Sequence, residues 1–264
     1  MRIDFDHVAL AAGDVQPLID VLIRDLGATQ LWGNESSDFR WVLMRVGDGK
    51  YGFNLELLEP GPDEDSFLRR FLDRRGPGPH HLTFKTDDLD AAMARLEAAG
   101  YELIDLDVRD PTWREAYLSP RAAHGTVLQL ADSTFERPPL AESLRISREQ
   151  GPEGTLHLSL GRGRSVVWWQ SRPPATRGPA FLERVVLRTP DLDGAVRLYG
   201  DLLDGREASS GEGWVELRWE AGGGVLRLVR TDGRAGVERL EVSCGRLAAW
   251  PLPSLPVVSV ARSD

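Results

Sequence analysis

The stretch RIDFDHVALAAGDVQPLIDVLIRDLG, residues 2–27, sets the pattern from which the rest of the chain can be read. Asp4 to Leu10 alternates as a half-buried strand does, and Gly13-Asp14 supplies a helix start. Val15, Leu18, Val21 and Leu22 then recur at helical spacing, and Gly27 ends the run. The same grammar returns in HHLTFKTDDLDAAMARLEAAG, residues 80–100, where Asp87-Asp88 is the cap, Leu89, Met93 and Leu96 form the apolar stripe, and Gly100 is the stop. It returns again in FLERVVLRTPDLDGAVRLYGDLLDG, residues 181–205, with Pro190-Asp191 at the start, Ala195, Leu198 and Leu202 facing a core, and Gly205 at the end. A repeat of this kind decides the architecture before any single element does.

Each helix is followed by short alternating runs separated by Gly, Asp and Pro, which read as strands. In the first copy they cover Arg40 to Val46 and Tyr51 to Leu58. In the second they cover Glu102 to Asp105, Arg114 to Leu118 and Thr126 to Leu130, and in the third Gly213 to Glu220 and Gly224 to Val229. A fourth copy has only Val237 to Val260 to occupy, so it is expected to be shortened. The expected fold is α+β: tandem βαβββ modules paired into two domains, the second degenerate. The expected division is a first domain at 1–134, a linker at 135–154 and a second domain at 155–264. The linker carries Pro138, Pro139 and Pro152, with a turn of helix allowed at Leu140 to Arg148, and a hairpin is expected at Thr155 to Gln170.

Composition narrows the class. The 264 residues, 41% of them hydrophobic, can build one large core or two moderate ones. A single cysteine, Cys244, excludes an intrachain disulfide framework, and the absence of an apolar export segment at the start leads us to expect a cytoplasmic protein. No apolar stretch approaches the roughly 20 residues of a membrane span. A formal net charge of −9 argues against nucleic acid and anionic lipid as partners, leaving a small-molecule ligand.

Four polar side chains interrupt apolar strands at matched places. His7 and His81 lie in the first strands of copies one and two, and Glu56 and Gln129 lie in their last strands. Their offsets nearly coincide, so a pseudo-two-fold packing of the copies brings all four to one point. Two imidazoles, a carboxylate and an amide oxygen suit one divalent metal ion: zinc, nickel, cobalt, manganese or ferrous iron. His80 competes with His81, but strand alternation puts it on the opposite face. His124 and His157 lie outside the pattern.

The chain here resembles the vicinal oxygen chelate superfamily (glyoxalase, bleomycin resistance and extradiol dioxygenase proteins), and within it methylmalonyl-CoA epimerases first and glyoxalase I next. The likeness covers Asp6 to Ala131. It rests on Asp6-His7-Val8-Ala9, Leu55-Glu56-Leu57-Leu58-Glu59-Pro60, Gly78-Pro79-His80-His81-Leu82, Asp87-Asp88-Leu89-Asp90-Ala91-Ala92, and Leu118-Ser119-Pro120 followed by Gly125-Thr126-Val127-Leu128-Gln129-Leu130. The resemblance implies metal ligands at His7, Glu56, His81 and Gln129, the set that the repeat gives by itself. It also implies a glutamate where Gln129 stands, and an opposing base near Trp41. Neither residue present can take a proton from carbon. Glu115, the module-symmetric counterpart of Trp41, is the candidate replacement base; the alternatives are an exposed strand residue there and Glu56 leaving the metal to act as base. Trp41, Arg114 and Tyr117 are the expected substrate contacts.

Superposing the third and fourth copies on the first two puts Arg184, Arg227 and Arg239 where His7, Glu56 and His81 stand, and Ser259 where Gln129 stands. Guanidinium groups do not ligate a metal cation, so the second half is expected to be metal-free. The alternatives there are a cationic pocket for a carboxylate or phosphate, or pairing with neighbours such as Glu183, Glu238 and Glu241. The leading functional expectation is a metal-dependent isomerase or lyase acting on a small carbonyl or carboxylate substrate. Two alternatives stand beside it: a non-haem iron dioxygenase, and a non-catalytic binding or resistance protein that stacks its ligand on Phe39, Trp41 or Trp113. Relatives of this kind often dimerise, which keeps a homodimer open.

Overall fold

The computed structural model describes residues 1–49, 52–133, 140–155, 166–172, 180–220, 224–244, 250–252 and 255–260. The first module runs β1 (Ile3–Ala11), α1 (Gln16–Leu26), β2 (Thr29–Glu35), β3 (Phe39–Val46) and β4 (Phe53–Pro60). After α2 (Phe67–Arg75), the second runs β5 (Gly78–Thr86), α3 (Leu89–Ala98), β6 (Leu103–Asp107), β7 (Arg114–Leu118) and β8 (Val127–Asp132). Next come α4 (Leu140–Gln150) and the third module: β9 (Phe181–Thr189), α5 (Leu192–Val196) continued by a π-helical turn (Arg197–Leu202), β10 (Arg206–Gly211), β11 (Trp214–Arg218) and β12 (Val225–Arg230). Of the fourth, the described residues hold only β13 (Gly236–Ser243) and β14 (Val257–Ser259), the shortened copy that the sequence led us to expect.

The caps follow local chemistry. Asp88 accepts from Ala91 N and Asp191 from Gly194 N, and Gly27 closes α1 in the left-handed region at φ 61°. The start of α1 departs from the expected Gly13-Asp14 cap. Val15 holds the cap position, its N–H donates to Glu59 Oε2 at 3.0 Å, and Asp14 instead accepts from Gln16 N. Three elements were not foreseen: β2, whose Thr29-Gln30 opening alternates poorly, α2 and β10.

Modules one and two form a single eight-stranded sheet in the order β2-β3-β4-β1-β5-β8-β7-β6, with β1 and β5 antiparallel at its centre. The register makes the internal symmetry explicit. Ala9 pairs with Glu56 in the first module as Thr83 pairs with Gln129 in the second, and Leu43 faces Glu56 as Tyr117 faces Gln129. A register shift in the β1–β5 ladder leaves Asp6 as an extra residue. This bulge lets Phe5 join Val8 and Leu10 in the core while His7 turns to the other face.

Modules three and four form a six-stranded sheet, β10-β11-β12-β9-β13-β14, and the two sheets share one hydrophobic core. Phe84 lies 5.3 Å from Trp219 and 5.8 Å from Tyr199, ring centre to ring centre, and Phe5 lies 5.5 Å from Trp219. The loop before β8 is clamped by the second half. Tyr199 Oη donates to Ala123 O at 3.0 Å, and Gly125, at φ 92°, comes so close to Ala235 that a Cβ would sit 2.3 Å from its carbonyl carbon. Only glycine allows that approach.

The stretch read as a linker holds more than a turn of helix: α4 buries Leu144 against Leu31, Trp32 and Leu43. The hairpin expected at 155–170 falls largely outside the described residues, and its described end is not a strand. There Val166 N donates to Gly33 O at 2.9 Å, Trp168 Nε1 to Trp41 O at 2.9 Å and Trp169 Nε1 to Gln30 Oε1 at 2.6 Å. This segment covers the β2 edge, which would otherwise present open hydrogen-bonding groups. Among the described residues, no helix is long and apolar enough to cross a membrane.

Candidate metal centre

The face of the eight-stranded sheet turned away from α1 and α3 brings His7, Glu56 and His81 together, one donor atom from each lying within 4.8 Å of the others. His7 Nε2 and His81 Nε2 are each 3.5 Å from Glu56 Oε2. Both rings are buried, and each is aimed by its other nitrogen. Asp6 Oδ2 lies 2.7 Å from His7 Nδ1, and His80 Nδ1 lies 2.8 Å from His81 Nδ1. A second register shift, between the Ala9–His81 and Leu10–Pro79 pairs, accounts for the latter. It corrects the expectation that His80 points to the opposite face.

Burial alone would lower His7, but hydrogen bonds and charge from Asp6 and Glu56 outweigh it and raise the pKa to about 9. Without a metal, His7 therefore donates from both nitrogens. Its Nε2 meets Thr83 Oγ1 at 2.9 Å, and the Thr83 hydroxyl donates to Gln129 Oε1 at 2.6 Å. Burial holds His80 down at about 4, and burial with the neighbouring His80 and His7 holds His81 well below its ordinary value. His81 is thus a neutral imidazole whose buried Nε2 has no hydrogen-bond partner. An orphan of this kind costs free energy unless something occupies it. Two imidazoles, a carboxylate and an amide oxygen match the preferences of a borderline divalent ion, so the residues present fit one.

Gln129 reaches the cluster through Thr83, its Oε1 toward the histidines and its Nε2 away, where it donates to Glu115 Oε2 at 2.8 Å and Tyr117 Oη at 2.9 Å. Glu115 also accepts from Trp113 Nε1 at 2.6 Å. Burial and the Glu115 and Glu56 charges push the Tyr117 phenol well up, so it stays protonated. Trp41 lies on the same inner face and packs with Ala9, Ala11, Leu58 and Leu68 under α2. Arg114, expected as a substrate contact, is not in this group. Strand alternation turns it to the other face from Glu115 and Tyr117, where it clamps Asp132 and, at 2.9 Å, Asp90. Sequence reasoning missed Asp6 and Thr83. Asp6 reaches His7 only because of the bulge, and Thr83 looks like an ordinary strand former.

The mirrored site in the second half is closed by ion pairs. Arg184 and Arg227 both lie 2.5 Å from Glu216 Oε1, Arg184 is 3.3 Å from Glu241, and Arg239 is 2.7 Å from Glu241. Glu216 and Glu241 are buried. The three arginines do converge, but buried Glu216 and Glu241 occupy the space between them, giving an ion-paired network and not the open cationic pocket offered as one reading. Glu216 was not foreseen; its register partner Arg227 identifies it as the counterpart of Leu43. Register also moves one assignment: Arg239 pairs as His81 does and Glu241 as Thr83 does, which places Val258, not Ser259, at the Gln129 position.

A family profile described as Glyoxalase/Bleomycin resistance protein/Dioxygenase superfamily matches residues 6–117. The uncharacterized protein YqjC of Bacillus subtilis is 27% identical over 131 residues, spanning 48% of this chain and 90% of that protein. Among solved structures, methylmalonyl-CoA epimerase from Mycobacterium tuberculosis is 28% identical over 53% of this chain and 91% of its own, with a TM-score of 0.44. A hypothetical protein from Staphylococcus aureus is only 9% identical but covers 98% of this chain and 99% of its own, with a TM-score of 0.58, a likeness of fold alone.

Proposed function

We propose, on the premise that residues 6–117 are a domain of the glyoxalase/bleomycin resistance/dioxygenase superfamily, that the chain is a metal-dependent enzyme of the isomerase or lyase type acting on a small carbonyl or carboxylate compound. The observation that carries this reading is the buried His7, Glu56 and His81 cluster with its unsatisfied His81 Nε2. Gln129 completes the ligand set through Oε1, the end of the amide that its partners turn toward the cluster. A divalent ion bound there supplies Lewis acidity toward substrate oxygens.

The residues of the chain do the rest. Asp6 and His80 hold the two imidazoles in the orientation that presents Nε2. Trp41 and its apolar neighbours wall the inner face and exclude water from one side of the substrate. Glu115 is the carboxylate placed to accept a proton from the carbon next to the carbonyl, and Trp113 and Gln129 fix its position. The division at 134 and 155 belongs to the same proposal, amended by counting 166–172 with the first domain, whose edge they cover.

Two measurements test this reading together. Elemental analysis should find about one divalent ion per chain, lost in His7→Ala and His81→Ala. Incubation with simple acyl thioesters and α-hydroxy ketones in deuterium oxide should place deuterium on the carbon beside the carbonyl, and Glu115→Gln should stop it. A full set of bound metal with oxygen uptake and no deuterium exchange would favour the dioxygenase reading, for which two histidines and one carboxylate are the sufficient set. Absence of metal after loading would leave a binding protein.

A further inference from the structure

Helix α2 carries four arginines in nine residues, and they do not share one fate. Arg69 donates to the Gly61 and Asp63 carbonyls and Arg70 to the Asp65 carbonyl. The side chains of Arg74 and Arg75, both exposed, have no hydrogen bond or ion pair among the described residues. Arg70, Arg74 and Arg75 line a common cavity of about 360 Å³, with Phe71, His80 and Thr126 also in its wall and no carboxylate. The larger cavity on the other side of α2, about 690 Å³, differs sharply: Glu35, Glu59, Glu64 and Asp73 line it beside Arg40 and Arg69. In a chain of net charge −9, a cavity walled by three cations and no anion is a site of concentrated positive potential. The last turn of a helix favours arginine, which accounts for Arg74 and Arg75 at that end. It does not account for their sharing a cavity with Arg70.

We propose that this cavity binds a phosphate group, namely the phosphorylated end of the substrate. Guanidinium forks match phosphate oxygens, and three of them suit a doubly charged tetrahedral anion better than a single carboxylate. The volume lies at the small end for ligand pockets and takes a phosphate or diphosphate with a short linker. His80 places the cavity beside the candidate metal centre, because the ring in its wall is bonded to His81 at 2.8 Å. A substrate that spans the two is elongated, with its carbonyl at His7, Glu56 and His81 and its phosphate at α2. That connection rests on the metal reading, whereas the anion site itself does not.

The test uses the full chain, metal-free in excess chelator, and titrates inorganic pyrophosphate calorimetrically. Wild type should bind it, and Arg74→Gln/Arg75→Gln should bind about tenfold or more weakly for each arginine lost. Arg206→Gln, which removes an exposed charge whose one ion pair among the described residues is with Glu220, should bind as wild type does. Arg74→Lys/Arg75→Lys keeps the charge and guards against helix loss, so its binding should fall between the two. His7→Ala should bind pyrophosphate unchanged, which separates this proposal from the metal reading. No binding by wild type at millimolar pyrophosphate, equal binding by the double glutamine variant, or malonate binding as tightly as pyrophosphate would each overturn it.

Discussion

Gln129 Nε2 donates to Glu115 Oε2 at 2.8 Å, and this bond decides what the amide can offer the cluster. A carboxylate accepts and never donates when ionised, so the nitrogen must face Glu115 and the oxygen must face Thr83 and the histidines. Gln129→Glu, which puts the carboxylate implied by the resemblance in this place, would set two carboxylates against one another. It should destabilise the metal-free protein by about 1–3 kcal/mol, whereas Gln129→Glu/Glu115→Gln should recover that loss and bind a divalent ion about tenfold more tightly than wild type. Thermal unfolding with and without chelator, together with an indicator competition assay, reads both effects. Wild-type stability in the single variant would show that Glu115 does not orient this amide.

Metal binding should be strongly pH dependent. His7 is held protonated to about pH 9, and a ligand imidazole must be neutral, so an incoming ion displaces one proton. Between the ordinary histidine value and 9, affinity should rise about tenfold per pH unit, with about one proton released per ion, and then level off. His81 is already neutral and adds no proton in this range. In the metal-free protein the sign is opposite: the raised His7 pKa stabilises the fold below the unfolded value, and that stability is lost as pH rises through 9. Calorimetry of zinc binding in buffers of different ionisation enthalpy counts the protons.

The second-half network should be costly to break. Glu216→Ala leaves Arg184 and Arg227 facing each other around a buried gap, and a loss of about 3–5 kcal/mol is expected. Burial would raise the Glu216 pKa, but bonds from Ser209, Arg184 and Arg227 win and lower it. Its contribution is therefore present above the unfolded carboxylate value and lost as pH falls through the lowered folded value. Urea melts of wild type and variant across the acid range should converge there.

Gly125→Ala tests the clamp between the halves, at a residue that also lines the cavity beside α2. At its φ of 92°, an added Cβ would sit 2.3 Å from the Ala235 carbonyl carbon, so the clamp between the halves must open. An unfolding midpoint lowered by several degrees, with faster amide exchange at 119–125, is the expected result.

The repeat and the donor set were legible because both are periodic: offsets of 74 and 73 residues between His7 and His81 and between Glu56 and Gln129 survive any error in element boundaries. Features that depend on a broken period were not legible. Asp6 bonds the ring next to it, and His80 turns to His81, through two one-residue shifts in the β1–β5 ladder that no alternation rule contains. Glu216 escaped notice because its counterpart in the first module is Leu43, so comparing copies gave no hint of charge there. Arg114 was misplaced for the plainer reason that it stands one step from inward-facing Glu115 and three from Tyr117, and an odd step along a strand changes face.

The arginine network carries one more consequence. On the proposed reading, the positive charge at the focus of the first sheet is borrowed from solution, and a chelator or a shortage would withdraw it. In the second sheet the equivalent charge is written into the polypeptide at Arg184, Arg227 and Arg239, with Glu216 and Glu241 as fixed counter-charges. That sheet needs no ion to be complete at its centre, and through Tyr199 and Ala235 it grips the loop leading into β8, the strand that carries Gln129. If the first sheet binds an ion as proposed, the second would then act as a fixed jig for it, holding the loop before Gln129 in place when nothing is bound.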